Sequence, residues 1–341
     1  MLFTCRPPGR RTLELVSSAL VIGHRGASGY RPEHTALAYR TAYRSGADSV
    51  EPDVLSTRDG VLVCRHDLDL SLTTDVAERP EFADRRRSQV VDGVVQSGWF
   101  VHDLDLAELR TLRARERWPR KRPGSARFDG HVGVLTLEDL LDLRESESAR
   151  AGRELGVHVE VKHAEHQAAL GLPVDELLVD VLRRRRHTSP LSPVTVMGFE
   201  SSVLRSVRHE VDVDLVQLVD HPARLGRSRL ARVAAYATGV GLHKDHVLPR
   251  DAQDRVGAPG KAVGKALGAG LDVLVWTLRS ENRHLPANLR TPGSKRAHGA
   301  ADTEVHRMLD AGVDGLLTDF PDLAVDVCRS RVESTRFART S

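Results

Sequence analysis

Three histidines, two carboxylates one residue apart and an arginine joined to a histidine fall within residues 22–67, beside short apolar runs. The stretch opens on Ile22-Gly-His-Arg-Gly-Ala27, passes through Arg31-Pro-Glu-His-Thr35 and Glu51-Pro-Asp53, and closes on Cys64-Arg-His-Asp67. A fold has no structural need for that density of titratable groups at strand ends. Phosphate chemistry does, because it takes a metal to neutralise charge, a cation on the phosphoryl oxygens, and a proton donor and acceptor on opposite sides of phosphorus. His24 and His66 are the candidates for the proton work, since histidine gives and takes protons near neutral pH. Arg25 offers a planar fork to phosphoryl oxygens. Glu160, in Val157-His-Val-Glu-Val161, adds a third carboxylate, and Lys162 shares its strand face at the next position but one. Without a cation, three inward carboxylates raise one another's pKa. Ca²⁺ or Mg²⁺ suits the all-oxygen set of Glu51, Asp53 and Glu160, although each alone reads first as an arginine's salt-bridge partner.

These groups need elements to hold them. Short β-branched runs at 19–23, 49–54, 61–65, 157–161, 194–198, 213–219, 239–242, 272–276 and 314–317 read as strands. Amphipathic stretches at 36–45, 137–143, 174–186 and 304–311 read as helices between them. The alternation implies a parallel sheet, and eight or nine strands favour a closed α/β barrel of the TIM (β/α)8 type. Only residues 55–60 separate the second and third strands, too few for a crossover helix, so these two should form an antiparallel hairpin. With its turn centred near Arg58-Asp59, Asp53 faces Cys64 and Glu51 faces His66. Pro52 cannot donate to a ladder and fits a short or edge-like strand. The span 68–132 is turn-rich and charged, and reads as an insertion on the catalytic face that shapes the substrate entrance. A second polar loop, 280–302, follows a strand end directly and reads as rim. The expected organisation is an N-terminal extension at 1–18, a barrel domain at 19–330 carrying the insertion, and a tail at 331–341.

Composition excludes several classes. The 341 residues carry a formal charge of +3, and their 44 arginines against six lysines indicate a base-composition habit. Arginine runs at 85–87 and 183–186 come with interspersed acids and no stacking aromatics, so they read as solvated helix ends and no nucleic acid is expected. Cys5, Cys64 and Cys328 are widely spaced and odd in number, against a disulfide framework or zinc site. Cys64 reads as a small buried hydrophobe. No apolar run is long enough to span a membrane, and Glu14 interrupts the N-terminal apolar stretch, against a secretory signal. The expected compartment is the cytoplasm, with export open if the start codon is misplaced.

The pieces HRGASGYRPEHT (24–35), GADSVEPDVLSTRDGVLVCRHD (46–67), TTDVAERPEFADRR (73–86), SGWF (97–100), TLEDLL (136–141), HVEVKH (158–163), VLVWTL (273–278) and VDGLLTDFPD (313–322) together resemble the glycerophosphodiester phosphodiesterase family, in its longer bacterial branch. The resemblance runs from about residue 20 to 325. It implies a metal-dependent hydrolase of glycerol and lipid metabolism that cuts small-molecule glycerophosphodiesters into glycerol 3-phosphate and an alcohol on a TIM barrel. It turns the carboxylate trio toward a Ca²⁺ or Mg²⁺ site, with Arg25 and Lys162 on phosphate. In the implied chemistry the glycerol hydroxyl beside the phosphate attacks phosphorus with one histidine as base and the other protonating the leaving alcohol. Water then opens the cyclic phosphate. Trp276 is read as packing a glycerol face or the core. Asp67 is a candidate to orient His66, Glu33 to bond near the site or cap a helix, and Asp319 to be rim structure; His158 and His163 point off Glu160's face. Two departures stand out: His34 replaces a common Asn, and Val134-Leu-Thr-Leu-Glu138 lacks a proline before its threonine. Rival readings are a related phospholipase C- or D-like lipid phosphodiesterase and a non-catalytic phospho-polyol binding protein. Oligomeric state is left open.

Overall fold

The computed structural model describes residues 19–220 and 225–340. The extension 1–18, with Cys5, lies outside the described residues. Twelve strands form among them: β1 (Leu20–His24), β2 (Ser49–Glu51), β3 (Asp53–Ser56), β4 (Leu62–Cys64), β5 (Arg87–Val91), β6 (Val94–Gly98), β7 (Gly156–Val161), β8 (Val194–Gly198), β9 (Asp214–Val219), β10 (Gly239–His243), β11 (Asp272–Leu278) and β12 (Gly315–Thr318). Counting β2 and β3 as one strand, eight parallel strands run in the order β1, β2/β3, β7, β8, β9, β10, β11, β12, and β12 pairs back with β1. The result is the closed TIM barrel that the alternation implies. Helices such as Ala36–Arg44, Leu137–Ala151, Val174–Arg184 and Ala301–Asp310 cover its outside. Their apolar stripes join the outward strand residues in one large core. The barrel interior is filled by Ile22, Met197, Val216, Leu218, Leu274 and Leu317.

Pro52 acts as its missing N–H dictates, but inside the barrel rather than at an edge. It splits one strand into β2, which pairs with β1 and β7, and β3, which pairs with β7 and β4. The hairpin β3–β4 is antiparallel, but its register differs from expectation by one residue. Val54 faces Cys64, and the Arg65 N–H donates to the Asp53 carbonyl. The cause is the loop. Gly60 takes the left-handed conformation (φ +79°) and adds a third loop residue between Thr57 and Val61, which pair through the backbone.

The segment from Leu68 to Val132 leaves the barrel at the end that carries the β3–β4 hairpin. It holds the hairpin β5–β6 and a small core of its own, built on Leu68, Leu70, Phe82, Phe100, Leu104 and Leu109 against Leu55 and Val63 of β3 and β4. Thr136, without the proline, still opens Leu137–Ala151 with a capping box to Asp139. Residues 331–340 continue the last helix, Pro321–Thr340. Cys64 and Cys328 are free and buried. The arginine runs end in ion pairs: Arg183 with Glu210, Arg184 with Glu138, Arg85 with Glu108 and Arg87 with Asp103. Among the described residues no helix is long and apolar enough to cross a membrane.

Candidate active site

Barrel register assembles the site. His24 sits opposite Glu51 in the β1–β2 pair, and Asp53 opposite Glu160 in the β3–β7 pair. The three carboxylates therefore meet although they come from two strands, and one oxygen from each lies within 4.8 Å of the others. Glu51, Asp53 and Glu160 are all buried. Glu51 accepts the Arg25 N–H through Oε2, Asp53 accepts from His34 through Oδ2, and this leaves Glu51 Oε1, Asp53 Oδ1 and Glu160 Oε1 buried without a hydrogen bond. Lys162 Nζ stands 3.2 Å from Asp53 Oδ1 and 2.5 Å from Glu160 Oε1, an ion-pair contact that misses hydrogen-bond geometry.

The electrostatics follow from this crowding. Burial, then the charges of Asp53 and Glu160, pushes the Glu51 carboxyl well above its ordinary value. Burial pushes Glu160 up to about 7, against the pull of Lys162. Burial also raises Asp53, but Lys162, His66 and Arg25 outweigh it and hold that group well below the usual range. Three buried carboxylate oxygens without a hydrogen bond, two of them in contact with Lys162 alone, fit a hard divalent cation, whose charge would replace the protons on Glu51 and Glu160. Glu51, Asp53 and Glu160 are the residues that would hold it.

Glu160 has a folded pKa raised above its ordinary 4.5, so its contribution to stability is full below about 4.5 and is lost as pH rises through about 7. A cation must displace that proton at low pH and need not at high pH. Ca²⁺ or Mg²⁺ is therefore expected to raise the Tm more at about pH 8 than at about pH 5.5 in thermal-shift measurements. An equal or larger shift at the acid pH would remove the carboxylates from cation binding.

His24 ends β1 and His66 follows β4. Each is tied through Nδ1 to a carboxylate: His24 to Asp319 Oδ1 at 2.7 Å, His66 to Asp67 Oδ1 at 2.6 Å. A carboxylate accepts from Nδ1–H, so Nε2 is the nitrogen left for chemistry on both rings. Burial, then the Arg25 charge, lowers both histidines to about 4, and both are neutral at pH 7. Asp319 corrects the reading of it as rim structure. It is 1% exposed and is shared by His24, Arg122 and Arg279. The β1–β12 register explains this, since Gly23 pairs with Thr318 and the next residues, His24 and Asp319, become neighbours.

Arg25, in the left-handed region at φ +56°, stands 3.3 Å from Asp53 Oδ2 and donates to Glu33. Glu33 also accepts from Arg117, which pairs with Asp67 as well. Glu33 thus bonds beside the site, and Thr35 caps the helix. His158 bonds Ser49 and His163 bonds Asp92, so neither is directed at the trio. A cavity of about 290 Å³ joins His24, Arg25, His66, Glu160, Lys162 and Trp276. Phe199, Leu218, His243 and Arg279 also line it. Trp276 Nε1 is buried there without an acceptor.

The reading of the residues missed His34, fully buried between Asp53 and Tyr39, together with Arg117, Arg122, Arg279 and His243. His243 had a signal: the strand expected at 239–242 continues one residue further and ends on it.

The profile of the glycerophosphoryl diester phosphodiesterase family matches residues 24–323. A glycerophosphodiester phosphodiesterase of Arabidopsis thaliana is 30% identical over 88% of this chain and 83% of its own length. One from Bacillus subtilis is 28% identical over 89% of this chain and 84% of its own. Among solved structures, an Oleispira antarctica phosphodiesterase in complex with the product sn-glycerol-3-phosphate superposes with a TM-score of 0.61 at 20% identity, covering 90% of this chain and 96% of that one.

Proposed function

This chain belongs to the glycerophosphoryl diester phosphodiesterase family and is an enzyme of that class, and from there we propose that it hydrolyses glycerophosphodiesters to glycerol 3-phosphate and an alcohol by paired histidine catalysis beside a divalent cation. One observation supports this most: two neutral histidines, each fixed through Nδ1 by its own carboxylate, line one cavity with Arg25, Lys162 and Glu160. Glu51, Asp53 and Glu160 would hold a Ca²⁺ or Mg²⁺, which would supply positive charge to polarise the phosphoryl group and acidify a hydroxyl beside it.

The chain's own residues do the rest. Arg25 and Lys162 bring positive charge to the diester's anionic oxygens. Trp276 offers its ring to the glycerol carbons and its unpaired N–H to an oxygen. One histidine, neutral at Nε2, takes the proton of the attacking glycerol hydroxyl as the O–P bond forms. The other donates a proton to the departing alcohol oxygen as its bond to phosphorus breaks, and the anionic substrate raises the pKa of that donor. Water then opens the cyclic phosphate with the two roles exchanged. Asp319 and Asp67 act through these rings as positioning residues.

A second reading, action on diesters at a lipid surface, draws on one observation. Val90, Val94 and Val95 stand 59%, 62% and 70% exposed on the β5–β6 hairpin, which Asp92 ties to His163 beyond β7. Product analysis tests both. Glycerophosphocholine should yield glycerol 3-phosphate and choline. Phosphocholine and glycerol would place the cut at the wrong bond, and faster turnover of lysophosphatidylcholine would favour the lipid reading.

A further inference from the structure

Beside the catalytic cavity the rim carries positive charge that the protein leaves unanswered. After β11, Arg279 lines the catalytic cavity, while Asn282, Arg283, Arg290 and Lys295 line a second cavity of about 290 Å³. Arg279 and Asn282, one from each lining, are three positions apart in the chain, at most about 11 Å between their Cα atoms. Arg296 donates to the Arg120 carbonyl and so joins this loop to the insertion. Trp118 stands between the two regions, its ring 5.9 Å from the Arg279 guanidinium and 5.1 Å from Lys121 Nζ.

Five cations gather here: Arg120, Lys121, Arg283, Lys295 and Arg296. Among the described residues none of the five pairs with a carboxylate, and the Arg283 N–H and Arg296 guanidinium, bonded to the Lys295 and Arg120 carbonyls, hold four of them together. The cluster is also mounted on the catalytic machinery. Buried Arg122 bonds both Glu281, at the start of the rim loop, and Asp319, the partner of His24. Asn282 clamps the loop by bonding the Thr291 N–H and the carbonyls of Thr291 and Ser294.

We infer that this basic rim binds negative charge on the alcohol half of the substrate, so that the preferred diesters carry further phosphate groups on that alcohol. The inference rests on the proposed diesterase activity. Each exposed cation contributes little alone, but five of one sign beside a cavity raise the local concentration and the arrival rate of an anionic substrate. Such attraction is screened by salt, over about 8 Å at physiological ionic strength.

The test compares kcat/KM for glycerophosphoinositol 4-phosphate and glycerophosphocholine at low and high salt. It uses the wild type and an Arg120→Gln, Lys121→Gln, Lys295→Gln, Arg296→Gln variant whose Tm confirms folding. The phosphorylated alcohol should be preferred by about tenfold or more at low salt, less at high salt, and not by the variant. Turnover of both diesters without preference, or a preference that survives in the variant, overturns the inference and leaves the diesterase reading intact. Stimulation by anionic vesicles with no preference among soluble diesters would assign the charge to a lipid surface and overturn it too. Failure to cut either diester overturns both readings together.

Discussion

Replacing His24 or His66 by alanine should lower turnover by at least about a hundredfold in each case, the scale of a lost general acid or base. Each ring has one nitrogen committed to a carboxylate, so its Nε2 is the only position from which it can serve. Loss of either ring strands a proton: on the attacking hydroxyl in one variant, and away from the leaving oxygen in the other. His163→Ala is the control, because that ring bonds Asp92 and lines no part of the cavity. It should keep turnover within about a few fold, as expected of a surface change with no role in the reaction. Steady-state kinetics on glycerophosphocholine, with Tm as a folding check, decides the matter. Near-normal turnover in His66→Ala would remove that residue from proton transfer.

A diester lacking the glycerol hydroxyl next to the phosphate should be cut at least about a thousandfold more slowly at saturation, since an attacking group held within the substrate gains a large effective concentration. If water attacks directly, the same analogue loses one neutral hydrogen bond, worth about 1 kcal/mol. That is a change of roughly fivefold, and it would fall mainly on KM. Comparable turnover of the two substrates would exclude the cyclic phosphate and make water the first nucleophile.

The barrel was legible because alternating strand and helix patterns repeat along the chain, and period-two spacing puts Glu51 with Asp53 and Glu160 with Lys162 on shared faces. What one strand does to its neighbour was not legible. Asp319 carries no local mark in Leu-Leu-Thr-Asp-Phe; its role comes from a partner 295 positions away, fixed by the β1–β12 register. The hairpin register slipped by one because a three-residue loop with left-handed Gly60 and a two-residue turn share the same Arg-Asp-Gly signal. His34 holds Asp53 from a backbone that turns left-handed at φ +57°, a conformation that its sequence does not announce. Arg117 and Arg122 lie in the insertion, where turn-rich sequence told only of loop, and their targets are buried carboxylates from distant segments.

The most direct measurement is hydrolysis of glycerophosphocholine by enzyme stripped with chelator, as Ca²⁺ or Mg²⁺ is titrated back, for the wild type and Asp53→Asn. Turnover should be absent in excess chelator and should recover along a saturable curve. Asp53→Asn should keep the fold and need much more metal, because one of the three oxygen ligands has lost its charge. Full activity in excess chelator, with no metal in the purified protein, would contradict metal dependence.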